Sequence, residues 1–510
     1  LRKLILILLA LLVANPAMAQ TGLKMSKSGG IGSASSVFSG SPLEVTGGTY
    51  SIDGTTGEAL FKTVGAVVQV ASAFCPRSQM TGLPANDNSA CVQAAIAFTC
   101  AAGGGFVELG RGSYHLKGGG LSKVCPGVYI RGQGLATRIV SDEGCTGPIF
   151  DFYPDATQNY VYGGGVSDVS FFNNKLTGGA FDGSTSCQQP LIRTSFGRNM
   201  VFERISVLSP KTFIKIIGGL NNTVRDVAVD QALAGGTGVF ECMGLGAAAD
   251  ATGQLTRQDG CNIDNVTVFG APAGPGQQWY IGIWNHGFSQ TARITKAAFQ
   301  STSTALKVDC TNPGVASPLL ATTIEACPGN SYVYDLEGEC SGSDCVSLVD
   351  THSWYFTTLY AACLARTSTA NPSTSGCVSA LSIRNDQFTR TGTINVLGGQ
   401  MNGAQASCVD IGGWQVTISG VNTYGCNAAN VGGADYTIQA PIGGSLSGSN
   451  SITGNRMCTG PANNSLGENG VNIISGSDYN DVAHNNWKGC GAGMIGTPGA
   501  HSVTTPNVGP

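Results

Sequence analysis

Charge is scarce in this chain. Lys and Arg number 27 and Asp and Glu 31 among 510 residues, 11% of the total, with a formal net charge of −4. That balance offers no electrostatic track for a nucleic-acid backbone, so no nucleic-acid partner is expected. It also lacks the charge repulsion that keeps a disordered chain expanded. Helix-forming Leu, Glu, Lys and Arg are outnumbered by Thr, Ser, Asn, Val and 74 Gly, which argues against a helical bundle. Histidine is limited to five, there is no C-x-x-C, and no His stands at ligand spacing from a Cys pair. Zinc is therefore not expected, and no metal ligand is assigned. Beyond residue 13 no apolar run reaches the roughly 20 residues of a membrane span, so membrane insertion is not expected.

What is present is 42% hydrophobic residues arranged in short stretches between turn formers, a mixture suited to many short strands. The first 19 residues differ. Arg2 and Lys3 precede an apolar run from Leu4 to Val13 and then Ala17-Met18-Ala19, the pattern of a secretory signal peptide cut after Ala19. A secreted or periplasmic protein is expected. All 18 Cys lie between Cys75 and Cys490, an even number in keeping with disulfides in an oxidising compartment. Cys340 and Cys345 could close a small loop; the other pairings stay open.

Residues 20–58 read as a flexible Gly/Ser-rich leader, 59–490 as one elongated domain and 491–510 as a flexible tail. Asp87 or Asn88 can cap a helix over 88–99 with Cys91, Ala94, Ala95 and Phe98 on its apolar face, stopped by Gly103-Gly104-Gly105. Strands follow at Phe106–Leu109, near Tyr114 and at Val128–Arg131. From there one unit recurs: alternating apolar residues, a polar turn, then a second alternating pair. Val166–Phe171, Phe202–Val207, Val224–Val229, Ile263–Val268, Ile294–Phe299, Leu381–Phe388, Val416–Val421 and Val482–Asn485 are copies. Neighbouring copies are spaced by about 22 to 39 residues, as insertion loops in a solenoid would produce. Roughly a dozen coils stacked at strand spacing would give a rod about 55–60 Å long, with the helix over its first edge.

Asp87-Asn88-Ser89-Ala90, Gln93-Ala94-Ala95-Ile96, the glycine run, Phe106-Val107-Glu108-Leu109, Gly112-Ser113-Tyr114 and Ile130-Arg131-Gly132-Gln133-Gly134 together resemble the N-terminal signature of the pectate-lyase-like superfamily. The resemblance departs at Gly110, where that family usually has Pro. It implies an all-β, right-handed parallel β-helix with a short N-terminal capping helix, and a carbohydrate polymer as ligand. Shared fold alone does not establish chemistry.

Stacking the units puts Asp168, Arg204, Asp226, Asn265, Lys296, Asn385 and Asn485 at equivalent turn positions, where Asn and Asp accept left-handed backbone. Glu203 would then face Arg225, and Arg204 would face Asp226. Structural pairing accounts for these charges, so the chemistry is sought in the insertions. Residues 271–290 hold Trp279, Tyr280, Trp284 and His286, aromatic faces that could stack on sugar rings beside an imidazole able to move a proton. Glu241, Asp259 and Asp309 could converge there to supply the two carboxyl groups of glycosidic hydrolysis. Asp350, His352, Trp354 and Tyr355 form a second possible site in 340–380. Asn262-Ile263-Asp264, Asn285-His286-Gly287 and Arg293-Ile294-Thr295-Lys296 distantly echo polygalacturonase motifs, but no Asp-Asp pair exists in the chain. A lyase would use a base beside a uronate and could need calcium; otherwise no cofactor is implied.

The expected function is a secreted carbohydrate-active protein that binds and cleaves a polysaccharide by glycosidic hydrolysis or β-elimination, as a glycoside hydrolase or polysaccharide lyase. The alternatives are a non-catalytic adhesin or glycan-binding surface protein, or a tailspike-like depolymerase. Tailspikes are usually trimeric; the signal segment favours a monomer here.

Overall fold

The computed structural model describes short strands between residues 24 and 69. It also describes residues 74–510 other than 84, 120–122, 155–159, 174–186, 234–237, 245–257, 271–279, 311–326, 343, 364–376, 387–391, 427–433, 441–447, 459–468, 489, 491, 497–500, 505–506 and 509–510. The signal segment and Trp279 lie outside the described residues, as does the leader apart from short strands such as Thr49–Ile52.

From Gly105 the chain winds as a right-handed parallel β-helix. Each strand pairs with its counterpart one turn earlier and one turn later, and three sheets run along the rod. The inward columns explain why. In the first sheet Ile130, Val166, Phe202, Val224, Ile263 and Ile294 lie in direct register, all of them buried. In the third sheet Phe150, Ile192, Ile214, Phe240, Ile283 and Leu306 do the same. β-Branched and aromatic side chains suit a pleated surface, and each one buried stabilises the stack by about 1.5–3 kcal/mol. The period-2 alternation of the sequence is thus the inside–outside alternation of the coil wall.

Between the first and second sheets the backbone turns through one left-handed residue per coil. Asp168, Arg204, Asp226, Asn265 and Lys296 occupy that corner with φ between 50° and 56°, as their spacing predicts. Two members of the expected set do not. Asn385 follows Ser379–Arg384, a strand of the third sheet, and in the last copy the left-handed residue is His484. Asn485 instead turns inward, its amide accepting from the Asn455 backbone N–H and donating to the Ile452 carbonyl. The corner charges pair as anticipated at Glu203, which accepts from Arg225 Nε at 2.6 Å. Arg204, however, reaches back to Asp168 through two bonds of 2.7 and 2.8 Å, while Asp226 accepts from Asn265. A corner side chain has a neighbour on either side, and the bidentate partner wins.

Helix α1 (Ser89–Ala101) lies against the first coils. Its buried stripe is Val92, Ala95, Ile96 and Thr99, and Phe98 is exposed, a rotation from the expected face. Cys91 and Cys100 are only partly buried. Bonded to Cys75 and Cys125, they anchor the flanks of the helix. The nine disulfides use every Cys in the chain, including Cys340–Cys345. Each contributes about 2–4 kcal/mol by restricting the unfolded chain. At the far end pairing continues past residue 490, with Val503 and Val508 bridging to Asp481 and Asn486.

Candidate functional site

The outward side of the third sheet carries a set of buried polar groups that include Glu241, His286 and Asp309. Five of its strands build the site: β1 (Ile214–Ala232), whose first residues belong to this sheet, β2 (Gly238–Gly244), β3 (Ile281–Gly287), β4 (Thr304–Asp309) and β5 (Asp344–Val349). Register aligns Lys215 with Glu241, Glu241 with Trp284 and Trp284 with Lys307. Two residues along, Met243 aligns with His286 and His286 with Asp309. Inward neighbours Ile214, Phe240, Ile283 and Leu306 fix the phase, so alternation turns these polar residues outward.

The groups form two linked chains. Lys215 Nζ donates to Glu241 Oε1 at 2.7 Å, and His286 Nε2 lies 3.0 Å from the same oxygen. Trp284 Nε1 donates to Asp309 Oδ2 at 3.1 Å, and Lys307 Nζ stands 3.2 Å from that atom. The Trp284 and His286 rings stack at 4.3 Å, with Lys307 Nζ 4.5 Å from the centre of the indole. Glu241 is 1% exposed and His286 0%, while the side chains of Lys215 and Lys307 are 22% and 35% exposed. Solvent therefore meets two ammonium groups backed by two carboxylates.

Burial by itself would raise the Glu241 carboxyl, but the bond to His286 and the charge of Lys215 outweigh it and hold the pKa below the usual carboxylate value. Glu241 is thus ionised at neutral pH and can only accept. Nε2 of His286 must then carry a hydrogen and donate it to Glu241. Among the described residues Glu241 Oε2 finds no hydrogen-bond partner.

Of the residues singled out in the sequence, Glu241, His286, Trp284 and Asp309 come together. They do so on strands rather than in an insertion. Asp259 stands on the next segment around the coil, aligned with Gln290 and accepting from Thr291. Tyr280 faces the core at 1% exposure, its hydroxyl donating to the Val268 and Gln300 carbonyls at 3.1 and 2.8 Å. Trp354 is wholly buried, its Nε1 donating to Thr351 Oγ1. Neither ring offers a face to a sugar: strand alternation points Trp354 inward, and Tyr280, just before β3, turns its ring into the core. Trp284 packs between His286 and Lys307, so it orders the cluster. Tyr355 is on the outer side of the first sheet, stacked on Tyr332 at 5.2 Å. Asp350 accepts the Asp386 backbone N–H, and His352 is half-buried at a coil corner. Lys215 and Lys307 were not foreseen; no local motif marks them, only the register with Glu241 and Trp284. Among the described residues no group of three or more His, Cys, Asp or Glu could hold a metal ion, and no helix is long and apolar enough to cross a membrane.

No protein-family model matches the chain. Among curated proteins, mannuronan C5-epimerase AlgE5 of Azotobacter vinelandii is 31% identical over 174 residues, 31% of this chain and 17% of that protein. AlgE4 of the same organism is 32% identical over 164 residues, 29% of each. Among solved structures, the A-module of A. vinelandii mannuronan C-5 epimerase AlgE6 superposes with a TM-score of 0.55 at 15% identity, covering 86% of this chain and 99% of the module. The AlgE4 A-module gives 0.53 at 16%, covering 86% and 100%. The fold is a right-handed parallel β-helix related to these epimerases and to the pectin-lyase-like proteins. The matched sequence spans less than a third of AlgE5 or AlgE4.

Proposed function

We propose that this protein is an exported carbohydrate-active enzyme that acts on an acidic polysaccharide at the Glu241–His286–Asp309 cluster, by removing the proton beside a uronate carboxylate. The observation that carries this reading is the pair of partly exposed lysines, Lys215 and Lys307, each backed by a carboxylate and flanking a buried imidazole whose partner carboxylate is ionised. The ammonium groups hold the uronate carboxylate and stabilise the negative charge that develops on it when the C5 proton leaves. His286 is 0% exposed and bonded to Glu241, so it positions Glu241 behind the lysines and does not itself meet the sugar. If a proton returns to the opposite face of C5, the product is the epimer. If the C4–O bond breaks instead, its electrons leave with the oxygen, which takes up a proton, and a C4=C5 double bond remains.

The partial likeness to the mannuronan epimerases supports the carbohydrate class and favours C5 chemistry. Glycosidic hydrolysis at this position would need a carboxyl other than Glu241 kept protonated as general acid. Glu241 is held the other way.

The test is incubation of the purified chain with a panel of polyuronates in deuterated water, following deuterium at C5, ultraviolet absorbance of unsaturated ends, and reducing ends together. Deuterium incorporation without cleavage establishes epimerisation, and absorbance with new ends establishes elimination. New ends with neither signal overturn proton abstraction in favour of hydrolysis. Binding alone moves the protein to the adhesin class.

A further inference from the structure

The outer side of the second sheet carries a hollow that the Glu241 cluster does not use. Past the left-handed corner, register aligns Ser170 with Ser206, Ser206 with Ala228, Ala228 with Thr267 and Thr267 with Ala298. Their neighbours Val169, Ile205, Val227, Val266 and Ala297 are buried in the core, so alternation turns this row of small side chains outward. Toward the C-terminus the row ends where Ala298 aligns with Glu337 and Glu337 with Tyr360. At its other end the short turn Gly134–Ala136 packs on the strands of Ser170 and Ser206. Four coil steps separate Ser170 from Ala298, about 19 Å at strand spacing, and an extended glycan advances by about one sugar per coil.

Two cavities open along this row and share Ser206 and Ala228. The first, of about 430 Å³, is lined by Leu135, Ser170, Phe172, Leu208, Asp230 and Phe269. It is largely apolar, and Leu135 is 69% and Phe269 43% exposed. The second, of about 350 Å³, lies along the corner, where Arg204, Asp226, Asn265 and Thr267 line it. Arg204 is held by Asp168, and Asn265 donates to Asp226 at 2.7 Å, so these groups stand as positioned donors and acceptors. Ser170 is 1% exposed, and among the described residues its Oγ finds no hydrogen-bond partner.

The lining selects the class of occupant. Within the row the strands from Ser206 to Thr267 are paired on both sides, so no backbone edge is left for a peptide strand to join. A lipid tail matches Leu135 and Phe269 but leaves the corner groups unmet. A sugar meets both, with its C–H patches on the apolar side and its hydroxyls on the amide, carboxylate and guanidinium of the corner. We propose that this hollow is a second saccharide-binding site, which holds an extended chain of about four sugars by shape and hydroxyl pattern. Arg204 is already paired, so recognition calls for no charge on the sugar. The site stands on a different sheet from Lys215 and Lys307 and does not depend on the reading of the Glu241 cluster.

The experiment is calorimetric binding of two neutral probes, cellotetraose and N-acetylchitotetraose, to the intact protein. At least one is expected to bind, with an affinity that added salt changes by less than about 2-fold. Ala228→Trp fills the place where the two cavities meet, and Phe269→Ser removes an apolar contact. Each is expected to weaken binding by about 10-fold or more. Both side chains are exposed, and thermal unfolding checks that the variants fold. Lys215→Ala is expected to leave the affinity unchanged. Failure of both tetrasaccharides to bind overturns the proposal, as does binding that neither Ala228→Trp nor Phe269→Ser weakens. Binding abolished by Lys215→Ala places the sugar on the third sheet, which overturns this site and leaves the reading of the Glu241 cluster standing. Laurate bound in place of either tetrasaccharide, and lost in Ala228→Trp, makes the hollow a lipid site instead.

Discussion

Glu241→Gln isolates the charge at the centre of the cluster while preserving its volume. Glu241 accepts from Lys215 Nζ at 2.7 Å and from His286 Nε2 at 3.0 Å, and almost none of it is exposed. A charge-assisted bond is worth about 1.5–3 kcal/mol and a neutral one about 0.5–1.5, so the amide loses about 1 kcal/mol at each. The variant is therefore expected to be about 2 kcal/mol less stable at pH 7. Glu241→Ala, which strands Lys215 beside a cavity, is expected to cost about 4 kcal/mol, within the range for breaking a buried pair. The folded-state pKa of Glu241 lies below the ordinary 4.5. The stabilisation is thus fully present above the unfolded value and is lost as pH falls through the lower folded value. Equilibrium urea unfolding of wild type and Glu241→Gln, with disulfides oxidised, should show a gap that closes as pH is lowered from 7 toward 3. A gap that stays constant over that range, or a Gln variant as stable as wild type at pH 7, would refute an ionised Glu241 and with it the hydrogen assigned to His286 Nε2.

Other outcomes follow from the same geometry. Tyr280→Phe leaves two buried carbonyls short of a donor, so it should cost about 1–3 kcal/mol in urea unfolding and leave oligosaccharide affinity unchanged; lost affinity would return Tyr280 to the binding surface. Trp354→Ala should cost about 3–5 kcal/mol as a large-to-small core change, read by the same assay; a cost under about 1 kcal/mol would contradict its burial. Lys215→Ala and Lys307→Ala should each weaken binding of a uronate oligosaccharide about 10-fold, equivalent to about 1.4 kcal/mol. That difference should shrink with added salt in calorimetry, and salt-independent loss would point to misfolding instead.

The coil was legible because its causes are local. An apolar alternation of period 2 needs only a few residues to declare which side faces inward, and the left-handed corner declares itself through Asp168, Asp226 and Asn265, residue types that tolerate such backbone. The helix was legible too, but its buried stripe is Val92, Ala95, Ile96 and Thr99 rather than the face its periodicity suggested. The acidic and aromatic candidates were found by residue type, and type alone could not separate Trp284, turned outward onto His286, from Tyr280 and Trp354, turned inward. Nor could it find Lys215 and Lys307. Neighbouring coils differ in length from 22 residues at the Glu203–Arg225 step to 40 at the Trp354–Ile394 step, so sequence distance does not report which residues stack. The sequence by itself determined the repeating wall, its turns and the cysteines available to brace it. Only the tertiary register, set by pairing each inward column along the rod, decided that Lys215, Glu241, His286 and Asp309 meet, because the interactions joining them run between coils and leave no mark within any one of them.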